Sequence, residues 1–591
     1  MAIRAILYFH YPPESCHNRG RIVSAAGRCE PWEPRRRPLP LGGEAMSTNV
    51  VNLDALIPRD DFAVDDAASK ATPPDRISIA HLDGHFFAGD LRKPDFQRET
   101  AHWTPAKVVD LIRSFLDADL IPAIILWRAG RSIFVIDGAH RLSALMAWIL
   151  DDYGDRRTSI DHFGGHITDD QRRVAERTRE LALKLVGSYA QYQAFRNNRG
   201  GAPENMQKRL SNLADNSLVA QWVTATDAKS AEDSFFKINQ QGTPIDPTER
   251  RLLRSRGSAS AISARAITHA GSGHRYWNAF GGEVQTQIET AGRDIYRALY
   301  QPPITGMPLT TLDVPVGGRG YNALPFVFDL VNQANNVRIA DSTSTGDDKE
   351  KLPPDADGSV TVEYLRGVRR RIDRIAGDSS RSLGLHPVVY FYTRSGAFQP
   401  STFLAVSGFL EELAATEKLI DFTLHRRHFE DFLIKHKEAT TLLIKQLGSG
   451  TRHIPRLREY YNRVFRGLLD GKSAEQIQAE FSAAPDFAFL TAARPPDARP
   501  ESTKEKKSFN RGTKTAAYFE AALPAGARCA LCGALVHKNS IQIDHAVDRR
   551  NLGAADMSNA QVSHPFCNSV KDHILNRIWS LPVASSASEV P

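Results

Sequence analysis

Cys529-Ala-Leu-Cys532 and His564-Pro-Phe-Cys567 are two pairs of potential metal ligands, each with two residues between its members. Zinc prefers four tetrahedral sulfur or nitrogen ligands, and short knuckles of this kind supply them in pairs. For a lone Cys-x-x-Cys, a redox pair or a coincidence is the alternative. The second pair and the lack of a thioredoxin-like context argue against it here. The spacing predicts a small fold stapled by one zinc ion.

Between the two pairs lies Ile541-Gln-Ile-Asp544-His545, whose alternation predicts a short strand ending in an acid and a histidine. A neutral imidazole can take a proton from water. An adjacent carboxylate can hold a divalent ion that stabilises charge on a phosphate and its leaving oxygen. Asn568, expected on the final helix, can supply a second oxygen ligand, and Asn559 can orient the histidine. The stretch therefore predicts phosphodiester hydrolysis that depends on Mg²⁺ or Mn²⁺.

A second motif, Asp137-Gly138-Ala139-His140-Arg141, lies between a predicted strand, Ile133 to Ile136, and an apolar helix, Leu142 to Leu150. A glycine turn between strand and helix presents backbone N–H groups and a helix N-terminus to an anion. The arginine would favour phosphate. On the pentapeptide alone, a capped strand–helix junction with an exposed arginine is an equally good interpretation.

Length and composition indicate the number of domains, the charge of possible partners and the cellular compartment. A chain of 591 residues is too long for one core and should hold three or four domains. Its net charge of +7 slightly favours the binding of polyanions. No apolar run is long enough to span a bilayer, which favours a cytoplasmic protein without a membrane partner. Three of the five cysteines lie in the C-terminal motif, and the other two, Cys16 and Cys29, form no disulfide framework.

The order of composition along the chain predicts five segments. Residues 1–45 are rich in proline and lack periodicity, so we expect them to be disordered or to be upstream sequence of an over-long gene prediction starting before Met46. The expected segments are a disordered or loosely ordered extension (1–79), an α+β domain (80–260), a mainly helical region (261–490) with a surface linker near 342–358, a second linker (491–508) and the metal-site domain (509–591).

The C-terminal motifs resemble those of the HNH, or ββα-metal, endonucleases in their zinc-stapled form, over about residues 509–577. The resemblance implies His545 as general base, Asp544 and Asn568 as ligands of the catalytic metal, and Asn559 as the family's middle asparagine. Two positions depart from the usual pattern: His564 replaces a cysteine ligand, and Asn568 stands where histidine is common. Arg549, Arg550 and Lys571 would contact phosphates or be solvated surface charges.

The N-terminal motifs resemble the ParB/sulfiredoxin-like domain of GmrS over about residues 80–260. They are Gln97-Arg98, Trp103, the strand at Ile121–Leu126, the Asp-Gly-x-His-Arg turn and the later segment from Phe235 to Glu249. Ala139 departs from the family's glutamine. The resemblance implies a bound nucleoside triphosphate (NTP) and these contact residues: Gln97, Arg98, Asp137, Gly138, His140, Arg141 and Asn239.

Together the two resemblances predict an α+β multidomain protein with a ParB/sulfiredoxin-like domain, a helical middle and a ββα-metal domain. They are typical of GmrSD- and SspE-type modification-dependent defence nucleases, which implies DNA, an NTP and possible homo-oligomer or defence-protein partners. A DNA-binding NTP switch whose zinc domain binds without cutting is one alternative. An N-terminal module that itself cleaves or modifies DNA is another.

Overall fold

The computed structural model describes residues 50–60, 74–94, 97, 100, 103–163, 165, 167, 169–224, 234, 251–252, 255–304, 309, 314–318, 320, 323–337, 352–447, 454–490 and 508–580. Several residues named above lie outside that part of the chain: the 1–45 extension, Arg98, Asn239 and Glu249. The described fold is α+β, mostly helical with a small mixed sheet, as the sequence predicts. None of the described helices is long and apolar enough to cross a membrane.

Six strands make the N-terminal sheet: β1 (Arg59–Asp60), β2 (Arg76–Ser78), β3 (Leu91–Pro94), β4 (Ile124–Ala129), β5 (Ser132–Asp137) and β6 (Ser217–Trp222). Their order is β1-β3-β5-β4-β6-β2, with β4 and β5 forming an antiparallel hairpin around Gly130. The pairs β1–β3, β3–β5 and β4–β6 are parallel, and β2–β6 is antiparallel. The predicted strands at Ile121–Leu126 and Ile133 to Ile136 correspond to the two central strands, β4 and β5.

Eight helices accompany this sheet: α1 (Ile79–Asp83), α2 (His85–Asp90), α3 (Pro105–Leu116), α4 (Ala139–Leu150), α5 (Arg157–His162), α6 (Asp169–Leu185), α7 (Tyr189–Ala194) and α8 (Glu204–Asp215). Helix α3 begins at Pro105, because the Thr104 hydroxyl accepts the N–H of Lys107 and Pro105 occupies the first turn. Buried residues of α3, α4 and the central strands form one hydrophobic core. Together they fix the position of the β5–α4 turn.

The lead-in to this domain differs from the expected loose segment. Residues 50–60 and 74–79 belong to the fold, because Val51, Leu53, Leu56 and Ile57 lie in its core and β1 and β2 are its edge strands. The acidic composition of 46–80 obscured this apolar cluster, and one of its acids, Asp54, is itself buried. Burial of an acid requires paired cations, which a local reading of the sequence does not supply.

The middle of the chain is helical: α9 (Ala259–Thr268), α10 (Gly282–Tyr300), α11 (Leu324–Ala334), α12 (Ser359–Ile375), α13 (Pro387–Tyr390), α14 (Pro400–Ala415), α15 (Leu419–Lys435), α16 (Ala439–Leu447), α17 (Ile454–Leu469) and α18 (Ala474–Ala483). Aromatic and aliphatic side chains of these helices form a second core. The exposed segment 352–358 packs on the turn before α9, where Asp355 donates its N–H to Gly257.

The C-terminal part contains α19 (Arg511–Ala522), β7 (Gln542–His545), β8 (Ala560–Ser563), α20 (Pro565–Ser569) and α21 (Lys571–Ser580). Short 3-10 turns occur at Asp54–Leu56, Arg199–Gly201, Ala488–Leu490, Lys538–Ser540, Arg549–Asn551 and Met557–Asn559. Phe519, Leu523 and Leu535 join the core of the helical middle. The C-terminal part therefore shares its hydrophobic stabilisation with the preceding helices.

Candidate functional site

The four predicted zinc ligands converge. Cys529, Cys532, His564 and Cys567 are all buried, and their ligand atoms lie within 4.8 Å of one another. Nδ1 of His564 lies 3.4 Å from Sγ of Cys532 and 3.7 Å from Sγ of Cys567. Three sulfurs and one nitrogen so placed form a donor set that could bind zinc.

The backbone holds these ligands in a knuckle. Cys529 accepts the N–H of Gly533, whose φ of +68° closes the turn, and donates its own N–H to Ala534. Nε2 of His564 donates to the carbonyl of Leu535 at 3.1 Å, which leaves the Nδ1 lone pair facing the thiols. Hydrogen bonds with the thiols of Cys532 and Cys567 lower the pKa of Cys529 below its ordinary value.

Asp544 and His545 end strand β7. The strand pairs antiparallel with β8, placing Asp544 opposite Gln561 and His545 opposite Ala560. The Asp544 carboxylate is 8% exposed; Oδ2 accepts Nε2 of Gln561 at 2.8 Å and Oδ1 accepts the N–H of His545 at 2.7 Å. The acid is thus held rigidly at the edge of the hairpin.

Asn568 lies in α20, a five-residue helix that precedes the final helix on which it was expected. Its Nδ2 donates to Oε1 of Gln542 at 3.0 Å. Gln542 and Asp544 are two residues apart on one strand, so their side chains share a face. That contact brings Asn568 to the same side of the hairpin as the acid, with its Oδ1 available as a ligand.

Lys571 differs from both sequence interpretations, since it is neither a solvated charge nor placed to reach a phosphate. It is 6% exposed, and its ammonium lies 3.2 Å from Oδ2 of Asp544 and 2.9 Å from Oδ1 of Asp548. It also donates to the carbonyls of His545 and Ala546. Burial opposes its charge, but the hydrogen bonds with Asp548 and Asp544 raise the pKa of Lys571 above its ordinary value. A carboxylate has about four lone-pair directions, so Oδ1 of Asp544 keeps one for a metal ion.

Asn559 fixes the loop that follows the histidine. Its Oδ1 accepts the N–H of Val547 at 2.7 Å, and its Nδ2 donates to the carbonyls of Val547 and Ala554 at 3.0 and 2.8 Å. The amide is thereby occupied with backbone groups, which makes Asn559 a positioning residue. Nε2 of His545 accepts from Nε of the exposed Arg549 at 3.4 Å.

The N-terminal motif also forms a compact cluster. Gly138 has φ +96°, and a Cβ there would lie 2.5 Å from Cγ2 of Ile124. Arg141 pairs with Asp137 at 2.7 Å and donates to the carbonyl of Ala123 at 3.1 Å, so its charge is already compensated. The His140 ring stacks on Trp103 with centroids 5.4 Å apart.

Gln97 joins this cluster from the loop after β3. It is buried, and its Nε2 lies 3.4 Å from the carbonyl of Ile136, the residue before the motif. Within the described part of the chain, its Oε1 has no hydrogen-bond partner. A buried acceptor without a donor is costly, so this oxygen is a natural contact for a ligand N–H or hydroxyl.

A buried ion network beneath Gln97 escaped sequence analysis. The Asp54 carboxylate lies 3.0 Å from Arg59 and 2.6 Å from Lys93, and Arg59 donates to the carbonyl of Gln97. Burial opposes its ionisation, but Arg59 and Lys93 hold the pKa of Asp54 well below its usual value. The apolar residues around Asp54 were the only local signal.

Residues 83–256 match the family model described as GmrSD restriction endonuclease, N-terminal domain. The match covers the cluster at the β5–α4 turn and supports a restriction nuclease of the GmrSD type. No curated protein and no solved structure matches the chain.

Proposed function

We propose that the chain is a metal-dependent DNA endonuclease, regulated by a nucleotide and acting in defence against foreign DNA, whether modified or unmodified. Support comes from the GmrSD family match at residues 83–256, together with a C-terminal strand–strand–helix unit stapled by three cysteines and a histidine. Zinc would be its structural metal, and Mg²⁺ or Mn²⁺ its catalytic one. DNA entering the cytoplasm would be its substrate.

In this proposal each C-terminal residue has one task. His545 takes a proton from the attacking water. Asp544 and Asn568 hold the catalytic metal, which supplies charge stabilisation to the phosphate and the leaving oxygen. Asn559 fixes the loop beside His545. Lys571 holds the Asp544 carboxylate in position, since its ammonium lies 3.2 Å from the acid.

The observation that best supports the proposal is the contact between Asn568 and Gln542, because Gln542 shares a face of strand β7 with Asp544, the other metal-ligand candidate. A zinc staple alone would need neither Asp544 nor Asn568 in that position. The candidate zinc ligands and catalytic residues also lie interleaved within one small unit, between Cys529 and Asn568.

The N-terminal cluster would bind the nucleotide. Its proposed contact residues are those of the sequence prediction: Gln97, Arg98, Asp137, Gly138, His140, Arg141 and Asn239. The buried, unpaired Oε1 of Gln97 supports a ligand there. The Asp137–Arg141 pair would have to open for the arginine to reach a phosphate. The helical middle would couple this site to the nuclease.

Plasmid nicking tests the proposal. With Mg²⁺ or Mn²⁺ present, the wild-type protein should nick supercoiled plasmid, and His545→Ala should reduce the rate about a hundredfold or more. His573→Ala, which changes an exposed histidine two residues after Lys571, is the matched control and should cut like wild type. Equal nicking by His545→Ala and wild type would refute the assignment.

A binding module that does not cut is the second candidate, and the Lys571 contact favours it. The ammonium of Lys571 gives Asp544 a cation that belongs to the protein itself, so this acid could have a structural role instead of holding a metal ion. The two candidates differ in metal dependence: binding without cleavage across Mg²⁺ and Mn²⁺ titrations would select this one.

A further inference from the structure

A continuous groove runs along helix α10, bordered by α12 and by the turn before β7. It consists of three adjoining cavities of ≈ 390, ≈ 770 and ≈ 190 Å³. The first two share Asp294 and Arg369, and the second and third share Arg297 and Gln301. The groove thus follows α10 from its middle to its C-terminal end.

The groove carries an excess of positive charge. Arg293, Arg297 and Arg366 line it, and none of them has an ion pair within the part of the chain that the structure describes. Arg369 is paired with Asp373 at 2.8 Å, and the exposed Lys538 lies at the far end. Among the described lining residues the only acid is Asp294, so the cations outnumber it, and a polyanion relieves their mutual repulsion.

The groove ends beside the candidate nuclease. Asn539 in its wall donates to the carbonyl of Gln301 at 3.0 Å. Next to the wall residue Gly377, the carbonyl of Asp378 accepts Nε2 of Gln542 at 3.4 Å, the same side chain that contacts Asn568. Asp544 lies six positions after Lys538 in the sequence. At about 3.4 Å per residue, the end of the groove is at most about 20 Å from the acid.

We propose that this groove binds the phosphate backbone of duplex DNA and leads it to the hairpin at β7. The inference rests on the proposed nuclease function. Arginines such as Arg293, Arg297 and Arg366 donate to phosphate oxygens irrespective of base, so the groove contributes affinity and register without sequence preference. The stretch of α10 from Gln287 to Tyr300 is about 20 Å long at 1.5 Å per residue, a span of about six nucleotides at 3.4 Å each.

Salt-dependent DNA binding tests the groove separately from catalysis. Fluorescence anisotropy with a labelled 30-base-pair duplex, in Ca²⁺ without Mg²⁺, gives the Kd over a salt series. The double variant Arg297→Ala/Arg366→Ala should bind about tenfold or more weakly, with the slope of log Kd against log salt smaller by about 2. The control, Arg131→Ala/Arg199→Ala, removes two exposed arginines of the N-terminal domain and should leave the slope unchanged.

The outcomes separate the two proposals. If the groove variant keeps its melting temperature and its salt slope equals that of the control variant, the proposal that the groove binds DNA is refuted, whether or not the protein cleaves plasmid. A reduced slope in a protein that cuts no plasmid would support the groove and refute the nuclease. A lower melting temperature in the double variant calls for the lysine replacements Arg297→Lys/Arg366→Lys, which keep the charge and should restore the slope if the groove binds phosphate.

Discussion

The carboxylate of Glu430 accepts the backbone N–H of Leu535 at 2.8 Å. The carbonyl of Leu535 in turn accepts Nε2 of His564, so the carboxylate supports a zinc-ligand candidate through one residue. The other oxygen of Glu430 binds Arg426 at 2.9 Å, and both side chains are fully buried. The cluster of three cysteines and a histidine is therefore anchored to the helical middle by a buried ion pair.

Glu430→Gln should destabilise the protein by about 3–5 kcal/mol, because it leaves the buried guanidinium of Arg426 without a counter-charge. Thermal unfolding and zinc retention on gel filtration are the measurements. Asp431→Asn, at the next position, removes a surface-exposed partner of Arg528 and should cost less than about 1 kcal/mol. Similar losses in the two variants would contradict the anchoring role.

Cys567→Ser should reduce bound zinc from about one ion per chain to near none, since the site has no spare ligand. Because Leu535 and Phe519 lie in the core of the helical middle, the urea midpoint of that region should fall as well. Zinc content by atomic emission and urea unfolding check this. Cys29→Ser is the control, and retention of full zinc by Cys567→Ser would exclude this ligand set.

Asn559→Ala should slow plasmid nicking by about 10- to 100-fold while leaving zinc content unchanged, because the amide holds the loop after His545 and touches no zinc ligand. Nicking rates at saturating Mg²⁺ are the measurement. Asn551→Ala, an exposed asparagine of the same loop, should behave like wild type. A normal rate in Asn559→Ala would show that the loop needs no clamp.

Gly138→Ala should destabilise the N-terminal domain by roughly 2–4 kcal/mol, the sum of left-handed strain and overlap with Ile124. Gly165→Ala, also at positive φ but with open space around its Cβ position, should cost about 1 kcal/mol. Urea midpoints of the two variants measure the difference. Equal costs would mean that the turn can relax away from the strand.

His162 should make stability depend on pH. Burial lowers its pKa to about 4, and the groups that act on its charge are Asp54, Lys93, His269 and Arg59. Because the folded pKa is below the unfolded value of about 6.5, the unfolded chain takes up the proton first as the pH falls. Stability should therefore decrease between about pH 6.5 and 4, by up to about 1.4 kcal/mol per pH unit from this group.

Urea midpoints across that range, for wild type and His162→Gln, measure the effect. The variant should show a shallower decline, whereas His573→Gln, at an exposed position, should follow wild type. Parallel curves for His162→Gln and wild type would refute the contribution.

Local patterns predicted the elements that depend on near neighbours. The alternation before Asp544 predicted β7. The pairwise spacing of Cys529, Cys532, His564 and Cys567 predicted the converged cluster. In each case the interaction joins residues close in sequence, or a metal imposes the same geometry wherever its ligands come from.

Other features were inaccessible because their partners are distant in sequence. Lys571 was expected to contact phosphate or to be a solvated surface charge, yet it lies buried against Asp544. Asp54 lies in a segment that was expected to be loosely ordered, yet it is buried and forms ion pairs with Lys93 and Arg59. Burial of a charge depends on a counter-charge supplied by another element, and no local pattern records that pairing.

The sequence by itself determined the ligand set, the acid–histidine pair and the glycine turn, because these are properties of residue type and short spacing. Only the tertiary structure decided that Glu430 supports the cluster of three cysteines and a histidine, and that Asn559 holds the loop after His545. It also decided that arginines of α10 and α12 face one groove. The reason is physical: a hydrogen bond or a groove exists only where packing brings separate helices and strands within a few ångströms.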